Sequence, residues 1–264
     1  MRRLAGRIAG SNRAGAATLF ALNIWICWRL FRIEYSRHFD SVEGFFIAMA
    51  RYISTHWSGF SWWPLWHCGM PYQDTYVPLV HLVVAAVASL AKISAAHAYH
   101  DVTGVTYSLG AATLFLMAMR LGASRGAAFL AALIYSLFSP SALLMADVAR
   151  DIGGWFYGRR LQVLTVYGEG PHVTSLALLP LVILALQHAL DRRTGRSFAL
   201  AALATATLSL TNVPGTMATG LAVFCWIAVQ PAGRWARGWA VAAGASGLAY
   251  AIACYCGTLV PLDQ

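Results

Sequence analysis

Long apolar stretches alternate along the chain with short segments that contain arginine. A helix needs about 20 residues to cross the hydrocarbon core of a membrane, within a range of about 17 to 25. The stretches that approach this length are 14–33, 77–93, 102–119, 126–145, 172–190, 197–211, 213–230 and 238–260. The pattern therefore predicts an all-α, polytopic membrane protein.

The placement of arginine decides whether residues 77–93, which are bracketed by prolines, form one of the spans. Cytoplasmic loops are enriched in Lys and Arg. If 77–93 does not cross, the arginines that share the cytoplasmic side with the N-terminus are Arg120, Arg125, Arg192, Arg193, Arg196, Arg234 and Arg237. If 77–93 does cross, all of these move to the outer side. We therefore expect about seven transmembrane helices, with the N-terminus inside and the C-terminus outside.

The first outer loop is then long, covering residues 34–101. Residues 43–57 place Phe46, Met49, Ile53 and Trp57 on one helical face, which is typical of a helix lying in the membrane interface. Residues 79–93 are expected to form a second interfacial helix or a re-entrant one.

Between these helices lies WWPLWHCGMPYQDTYVPL, residues 62–79, in which prolines and Gly69 prevent a continuous helix. We expect a structured turn at the outer surface, with Trp62, Trp63 and Trp66 in the headgroup region. The turn is either an aromatic anchor or the entrance for a substrate. In the second case Trp66 and Asp74 are candidate substrate-binding residues.

The composition agrees with a membrane protein, since 59% of the 264 residues are hydrophobic and 11% are charged. This balance excludes an aqueous globule with a polar surface. The formal net charge of +9 does not indicate a nucleic-acid partner, because the arginines are scattered between apolar runs and form no recognised motif. The five cysteines include no CxxC pair, which argues against a disulfide framework or a zinc site.

Under this topology all acidic residues except Asp191 lie on the outer side or at its edge, which indicates a polar site facing out. The first acidic cluster is FDSVEG, residues 39–44, directly after the first span. Asp40 and Glu43 are candidate catalytic residues, because a carboxylate near the membrane surface could deprotonate a hydroxyl acceptor. The alternative is a helix cap formed by Asp40, with Glu43 near the third position of the helix.

The second acidic cluster lies in the outer loop at residues 146–171 and continues to His172. Asp147 and Asp151 are candidate catalytic acids. The candidate residues for gripping a lipid phosphate or its sugar are Arg150, Arg159, Arg160, Glu169 and His172. Guanidinium groups suit phosphate oxygens. Arginines in an outer loop are also unexpected, because Lys and Arg are normally enriched in cytoplasmic loops. The alternative is a set of internal salt bridges, such as one from Asp147 to Arg150.

This layout resembles the GT-C superfamily of integral-membrane glycosyltransferases. The segments PLWHCGMPYQDTYVPL at 64–79 and LGASRGAAFLAALIYSLFSP at 121–140 are similar to bacterial membrane proteins described as 6-pyruvoyl-tetrahydropterin synthase-related, a name that implies no pterin chemistry here. The resemblance covers nearly the whole chain, so residues 1–264 are interpreted as one GT-C-like module. Relatives continue beyond seven helices, and we therefore expect a C-terminally truncated fragment or a minimal module.

The resemblance implies sugar transfer from a polyprenyl-phosphate donor at the outer face of the bacterial inner membrane. Asp40 then corresponds to the base of the first loop, with Glu43 as the second candidate, and Asp147 or Asp151 to the acid of the second loop. Some relatives use a divalent metal such as Mg or Mn and others do not, so metal dependence stays open. The alternative functions are a polytopic transporter or lipid flippase, and a non-catalytic membrane scaffold.

Overall fold

The computed structural model describes residues 2–36, 41–154 and 157–258, with side chains placed over 12–36, 41–72, 74–154 and 157–251. The fold is all-α. The α-helices of the described residues are α1 (Arg2–Cys27), α2 (Glu43–Thr55), α3 (Leu79–Ala91), α4 (Ala95–Arg120), α5 (Arg125–Leu137), α6 (Pro140–Leu144), α7 (Ala146–Ile152), α8 (Arg159–Thr165), α9 (Gly170–Arg192), α10 (Gly195–Ser209), α11 (Val213–Ala228) and α12 (Trp235–Thr258).

Among the described residues, three segments are long and apolar enough to cross a membrane: Asn12–Arg32, Ala95–Arg120 and Gly170–Arg192. They overlap the predicted spans 14–33, 102–119 and 172–190. The second begins at Ala95, so the predicted first outer loop 34–101 is wrong for residues 95–101, which are helical. The first consists of α1 and a 3₁₀ turn at Trp28–Arg32. Helices α3, α5 and α11 are apolar but shorter, with 13, 13 and 16 residues.

The predicted span 126–145 is wrong as a single helix. Helix α5 ends at Leu137, and α6 begins at Pro140 after an extended Ser139 (φ −115°, ψ 88°). A proline disfavours the helical conformation of the residue before it and cannot donate the backbone hydrogen bond that a continuing helix needs. The apolar run therefore breaks at this point.

The chain divides into two compact units. The first unit contains residues 1–45 and 99–180. Its core includes a cluster of Leu19, Ala111, Phe115, Ala128 and Ala132, to which α1, α4 and α5 contribute. A second cluster contains Cys27, Leu30, Tyr107, Leu164 and Val173, and so brings α8 and the start of α9 against α1 and α4.

The second unit contains residues 46–98 and 181–264. On α2 the apolar face is packed inside the protein at Phe46, Met49 and Ile53, whereas Trp57 is half exposed. The predicted position of this helix in the membrane interface stays a prediction. In α11 the side chain of Asn212 caps the helix by accepting the Gly215 N–H at 2.7 Å, and its amide donates to Tyr76 Oη at 2.8 Å.

The segment 62–79 forms a small antiparallel hairpin, with β1 (Trp62–Trp63) paired to β2 (Met70–Pro71). The prediction of a structured turn in place of a helix is confirmed. Gly69 has φ +106°, and a Cβ there would lie 2.7 Å from the indole of Trp62, so only glycine fits. The prediction of a headgroup anchor is wrong for Trp63, which is buried and packs edge-on against Tyr52 and Tyr72.

Candidate functional site

The two acidic segments predicted from the sequence meet inside the first unit. The N–H of Val42 donates to the carbonyl oxygen of Tyr167 at 2.9 Å. Gly168 sits against the same stretch, because a Cβ at this glycine would lie 2.5 Å from the backbone nitrogen of Glu43 and would overlap Ser41 Oγ. Gly168 also has φ +72°, which favours glycine. We call this contact between residues 41–43 and 167–170 the junction.

Glu43 is buried beside the junction, with 3% of its surface exposed. One carboxylate oxygen accepts the N–H of Ser36 at 2.5 Å, and the other lies 3.7 Å from Nε2 of His100. Helix α2 begins at Glu43, so this residue is not at the third position of the helix as the capping alternative requires. The N–H of Glu43 instead donates to Ser41 Oγ at 3.3 Å. Glu43 thereby ties the two ends of residues 36–43 together.

Tyr99 forms hydrogen bonds to residues 168 and 170 of the junction. Its hydroxyl donates to the carbonyl of Gly168 at 2.6 Å and accepts the N–H of Gly170 at 3.0 Å. Gly170 is packed against the same ring, since a Cβ there would lie 2.8 Å from Tyr99 Cζ. Helix α4 thus fixes where the second loop ends and α9 begins.

A polar network extends from the junction to α7 and α8. Asp151 forms an ion pair with Arg159 and accepts the hydroxyl of Tyr167 at 2.7 Å. Gln162 accepts from Arg159 at 2.7 Å and donates to the Asp151 carbonyl at 3.0 Å. The hydrogen bond from Tyr167, followed by that from Arg159, lowers the pKa of Asp151 below its ordinary value. Asp151 is therefore held as a carboxylate, and Tyr167 connects it to Val42.

The remaining charged residues of the second loop occupy different surroundings. Asp147 and Arg150 form an ion pair that is largely exposed to solvent, as the salt-bridge alternative predicts. Glu169 is half-buried, and this burial raises its pKa, an effect that the nearby His172 partly offsets. The predicted second outer loop, residues 146–171, contains the short helices α7 and α8.

Arg160 points into the core of the first unit, with 7% of its surface exposed. Its guanidinium carbon lies 4.5 Å from the ring centroid of Tyr107 and 4.1 Å from that of Tyr135. One Nη donates to the carbonyl of Tyr107 at 2.5 Å. Arg159 and Arg160 are thus adjacent in sequence but face the polar network and the core, respectively.

Three other predicted site residues are not among those brought together at the junction or in the polar network. Asp40 directly precedes Ser41 in the sequence and lies outside the described residues. Trp66 and Asp74 belong to the second unit, where both are exposed near the hairpin. Their predicted roles in substrate binding stay predictions.

A cleft of about 740 Å³ opens in the first unit at the end of the first candidate span. Its lining includes Arg29, Arg32 and Ser36, together with Leu161 and Thr165 of α8. Ser36 lines the cleft and its N–H donates to Glu43, so the cleft and Glu43 share this neighbour. Arg29 and Arg32 were not among the sequence candidates. Their position at the end of the first predicted span, on the side predicted to face out, where arginine is depleted, was the available signal.

The donor set gives little support for a metal centre. Over the part of the chain that the structure describes, no three His, Cys, Asp or Glu side chains are grouped so that they could hold an ion.

Where the structure describes the chain, the fold is all-α and includes three helices long and apolar enough for a lipid bilayer. No protein-family model matches the chain, and no curated protein or solved structure matches it significantly.

Proposed function

We propose that the protein is a membrane glycosyltransferase that moves a sugar from a polyprenyl-phosphate donor to an acceptor at the periplasmic face of a bacterial inner membrane. The observation that carries the proposal is the junction. Residues 41–43, which follow Asp40, contact residues 167–170 of the second acidic loop, next to a cleft lined by two arginines. A base and a phosphate-binding group are the minimum that such a transfer needs.

The proposed topology has about seven spans, with the N-terminus inside. The three long apolar helices support three of these spans, and α3 with its 13 residues suits a helix that does not cross alone. Helices α5 and α11 are shorter than the hydrocarbon core and would then cross with local thinning of the bilayer. In this arrangement the junction and the cleft both face the periplasm.

Asp40 is the proposed base. Glu43 is less suited to that role, because its carboxylate is buried and already accepts the Ser36 N–H. Asp40 removes the proton from an acceptor hydroxyl, and the freed oxygen attacks the anomeric carbon of the sugar. The bond from that carbon to the phosphate oxygen breaks, and the lipid phosphate leaves with the electron pair. Attack from the opposite face inverts the anomeric centre.

The developing charge on the leaving phosphate needs cations close to it. The structure favours Arg29 and Arg32 for this task, since they line the cleft. Arg150 and Arg159 are engaged with Asp147 and Asp151, and Arg160 is buried between two rings. The isoprenoid chain would lie along the apolar part of the cleft, which includes Leu161.

The transporter alternative predicts ionisable groups beside the middle of a span. Arg160 meets that description, because it binds the carbonyl of Tyr107 within the candidate span Ala95–Arg120. Arginine does not release its proton in proteins, so Arg160 cannot act as a proton relay. Its contacts with Tyr107 and Tyr135 favour a structural role, and we therefore retain the transferase as the proposal.

The test measures transfer of a radiolabelled sugar by the purified protein, with a panel of polyprenyl-phosphate sugars as donors. The labelled acceptor is separated from the unused donor before counting. Asp40→Asn should abolish transfer while membrane insertion is unchanged. Asp101→Asn makes the same chemical change outside the junction and should retain activity. The proposal fails if wild-type protein labels no acceptor with any donor while it moves lipid between leaflets, or if Asp40→Asn is fully active.

A further inference from the structure

A second basic region lies in the second unit, at the C-terminal end of α9. Residues 191–237 contain a single acidic residue, Asp191, and the arginines of this stretch are Arg192, Arg193, Arg196, Arg234 and Arg237. Five arginines against one aspartate give a formal charge of +4. Arg192 ends a candidate membrane span, so this charge lies at a bilayer boundary.

Asp191 is part of a polar network that leaves little of its charge for other partners. It pairs with Arg234 and accepts two contacts from Gln187 Nε2, at 3.1 and 3.2 Å. The Gln187 oxygen accepts from the indole of Trp226 at 2.9 Å and from Gln230 at 3.1 Å. The network connects α9 and α11 to the turn that precedes α12, and it neutralises Arg234 locally.

Beside this network lies a groove of about 410 Å³ that we call the basic groove. Two arginines line it, Arg193 directly after α9 and Arg237 in the first turn of α12. The rest of its lining is mainly apolar and includes Leu190, Phe198 and Val241. Arg193 has φ +54° and its N–H donates to the Ala189 carbonyl at 3.0 Å, so its backbone turns sharply at the groove.

The basic groove therefore combines two positively charged side chains with an apolar floor. The two guanidinium groups fit phosphate oxygens. The apolar floor fits a hydrocarbon chain, and a free phosphate ion would leave that floor in contact with water. A molecule that carries a phosphate at one end and an acyl chain at the other satisfies both, and such molecules form the surrounding bilayer.

We propose that the basic groove binds an anionic phospholipid, with its phosphate between Arg193 and Arg237 and an acyl chain along Leu190, Phe198 and Val241. The excess of arginine is typical of a cytoplasmic surface, so the lipid would come from the inner leaflet. This site lies in the second unit and is independent of the proposed transfer reaction.

The test measures lipid binding to the protein in a neutral detergent by native mass spectrometry. Phosphatidylglycerol is compared with phosphatidylcholine of the same acyl chains. The proposal predicts retention of one phosphatidylglycerol in preference to phosphatidylcholine. Equal retention of the two lipids overturns it, because the arginines would then select no headgroup charge.

Two pairs of substitutions separate the groove from its surroundings. Arg193→Gln with Arg237→Gln should weaken phosphatidylglycerol binding roughly 10- to 30-fold, as two lost contacts of surface arginines with an anionic lipid imply. Arg192→Gln with Arg196→Gln removes the same charge from exposed positions that do not line the groove, and should leave binding within a factor of about two. Equal losses in both pairs would mean general attraction to charge and would overturn the proposal.

The apolar part of the site has its own test. Val241→Trp fills the basic groove while keeping both arginines, and should also reduce phosphatidylglycerol retention. Unchanged retention in this variant contradicts an acyl chain in the groove. Excess inorganic phosphate should not displace the lipid, and displacement by phosphate alone would assign the groove to a free anion instead. Native mass spectrometry separates folded from unfolded protein by charge state, so each variant is scored on folded molecules.

Discussion

Nε2 of His100 lies 3.7 Å from a carboxylate oxygen of Glu43, and both side chains are almost completely buried in the first unit. A buried carboxylate is stable only where donors compensate for lost hydration. Glu43 has such a donor in the N–H of Ser36. The pair and the Ser36 N–H therefore hold the Glu43 side chain in place at the start of α2.

Replacement of Glu43 should separate its structural role from a catalytic one. Glu43→Ala removes the acceptor for the Ser36 N–H and should lower the free energy of unfolding by about 2 to 4 kcal/mol. Glu43→Gln keeps an acceptor and should cost less. Chemical unfolding in detergent, followed by circular dichroism, measures both. If Glu43→Gln is stable but inactive, the Glu43 carboxylate is itself needed for transfer, and its role is more than structural.

The fit of Gly168 against Ser41 and Glu43 predicts the effect of one methyl group at the junction. Gly168→Ala adds backbone strain at φ +72° and also a clash with the facing segment. Gly153 is a matched control, because it has φ +77° but no atom within 4 Å of an added Cβ. Each alanine should cost about 1 to 3 kcal/mol in strain.

Only Gly168→Ala should also reduce sugar transfer, by more than about 10-fold, because a small displacement of catalytic groups carries a large kinetic cost. Transfer rates and unfolding free energies measured on both variants give the comparison. Equal activity in the two alanine variants would mean that close contact at the junction is not needed for the reaction.

Hydrophobic periodicity and length predicted α1, α4 and α9 well, because a long apolar helix is encoded within its own residues. The prediction of one span over 126–145 failed at Pro140. The sequence stays apolar there, but the helix cannot continue through the proline. Helices α7 and α8 have seven residues each, too few to be stable alone. Contacts such as that between Asp151 and Arg159 support them, and these contacts are not visible in local sequence.

The sequence also identified both acidic segments without showing that they touch. The contact depends on Gly168 and Ser41, which are far apart in the chain, and on Tyr99, which no motif singled out. Arginines in the second loop looked equivalent in sequence. The structure separates them into a surface ion pair at Arg150, a network at Arg159 and a core position at Arg160.

The pKa of Glu169 is raised by burial, which predicts a dependence of stability on pH. The folded protein then holds the Glu169 proton more tightly than the unfolded chain does. Stability should fall as the pH rises from the unfolded pKa, about 4.3, through the folded one. Glu169→Gln removes this slope, so the difference in unfolding free energy between wild type and variant should change with pH in that window. A constant difference would contradict the burial of the charged form.

Asp151 should behave in the opposite direction. Hydrogen bonds from Tyr167 and Arg159 lower its pKa in the folded state. Its contribution to stability is therefore present above the unfolded pKa, about 3.9, and is lost as the pH falls through the folded value. Tyr167→Phe removes the largest cause, so the Asp151 pKa measured by carboxyl NMR should rise towards its ordinary value. An unchanged pKa would show that Tyr167 does not donate to Asp151.

The donor phosphate could bind in the cleft or at the second loop, and the two positions predict different effects of arginine substitutions on donor affinity. If the lipid phosphate lies in the cleft, Arg29→Gln and Arg32→Gln should each raise KM for the polyprenyl-phosphate donor by roughly 10-fold or more, the loss expected for one hydrogen bond to a charged group. Arg150→Gln should leave this KM unchanged, because Arg150 is exposed and paired with Asp147. Steady-state kinetics at saturating acceptor distinguish the regions, since the three variants make the same chemical change. The reverse pattern, with a high KM only in Arg150→Gln, would move the phosphate to the second loop. Arg29 and Arg32 lie at the end of a candidate span, where the phosphate of the proposed isoprenoid donor would first meet water.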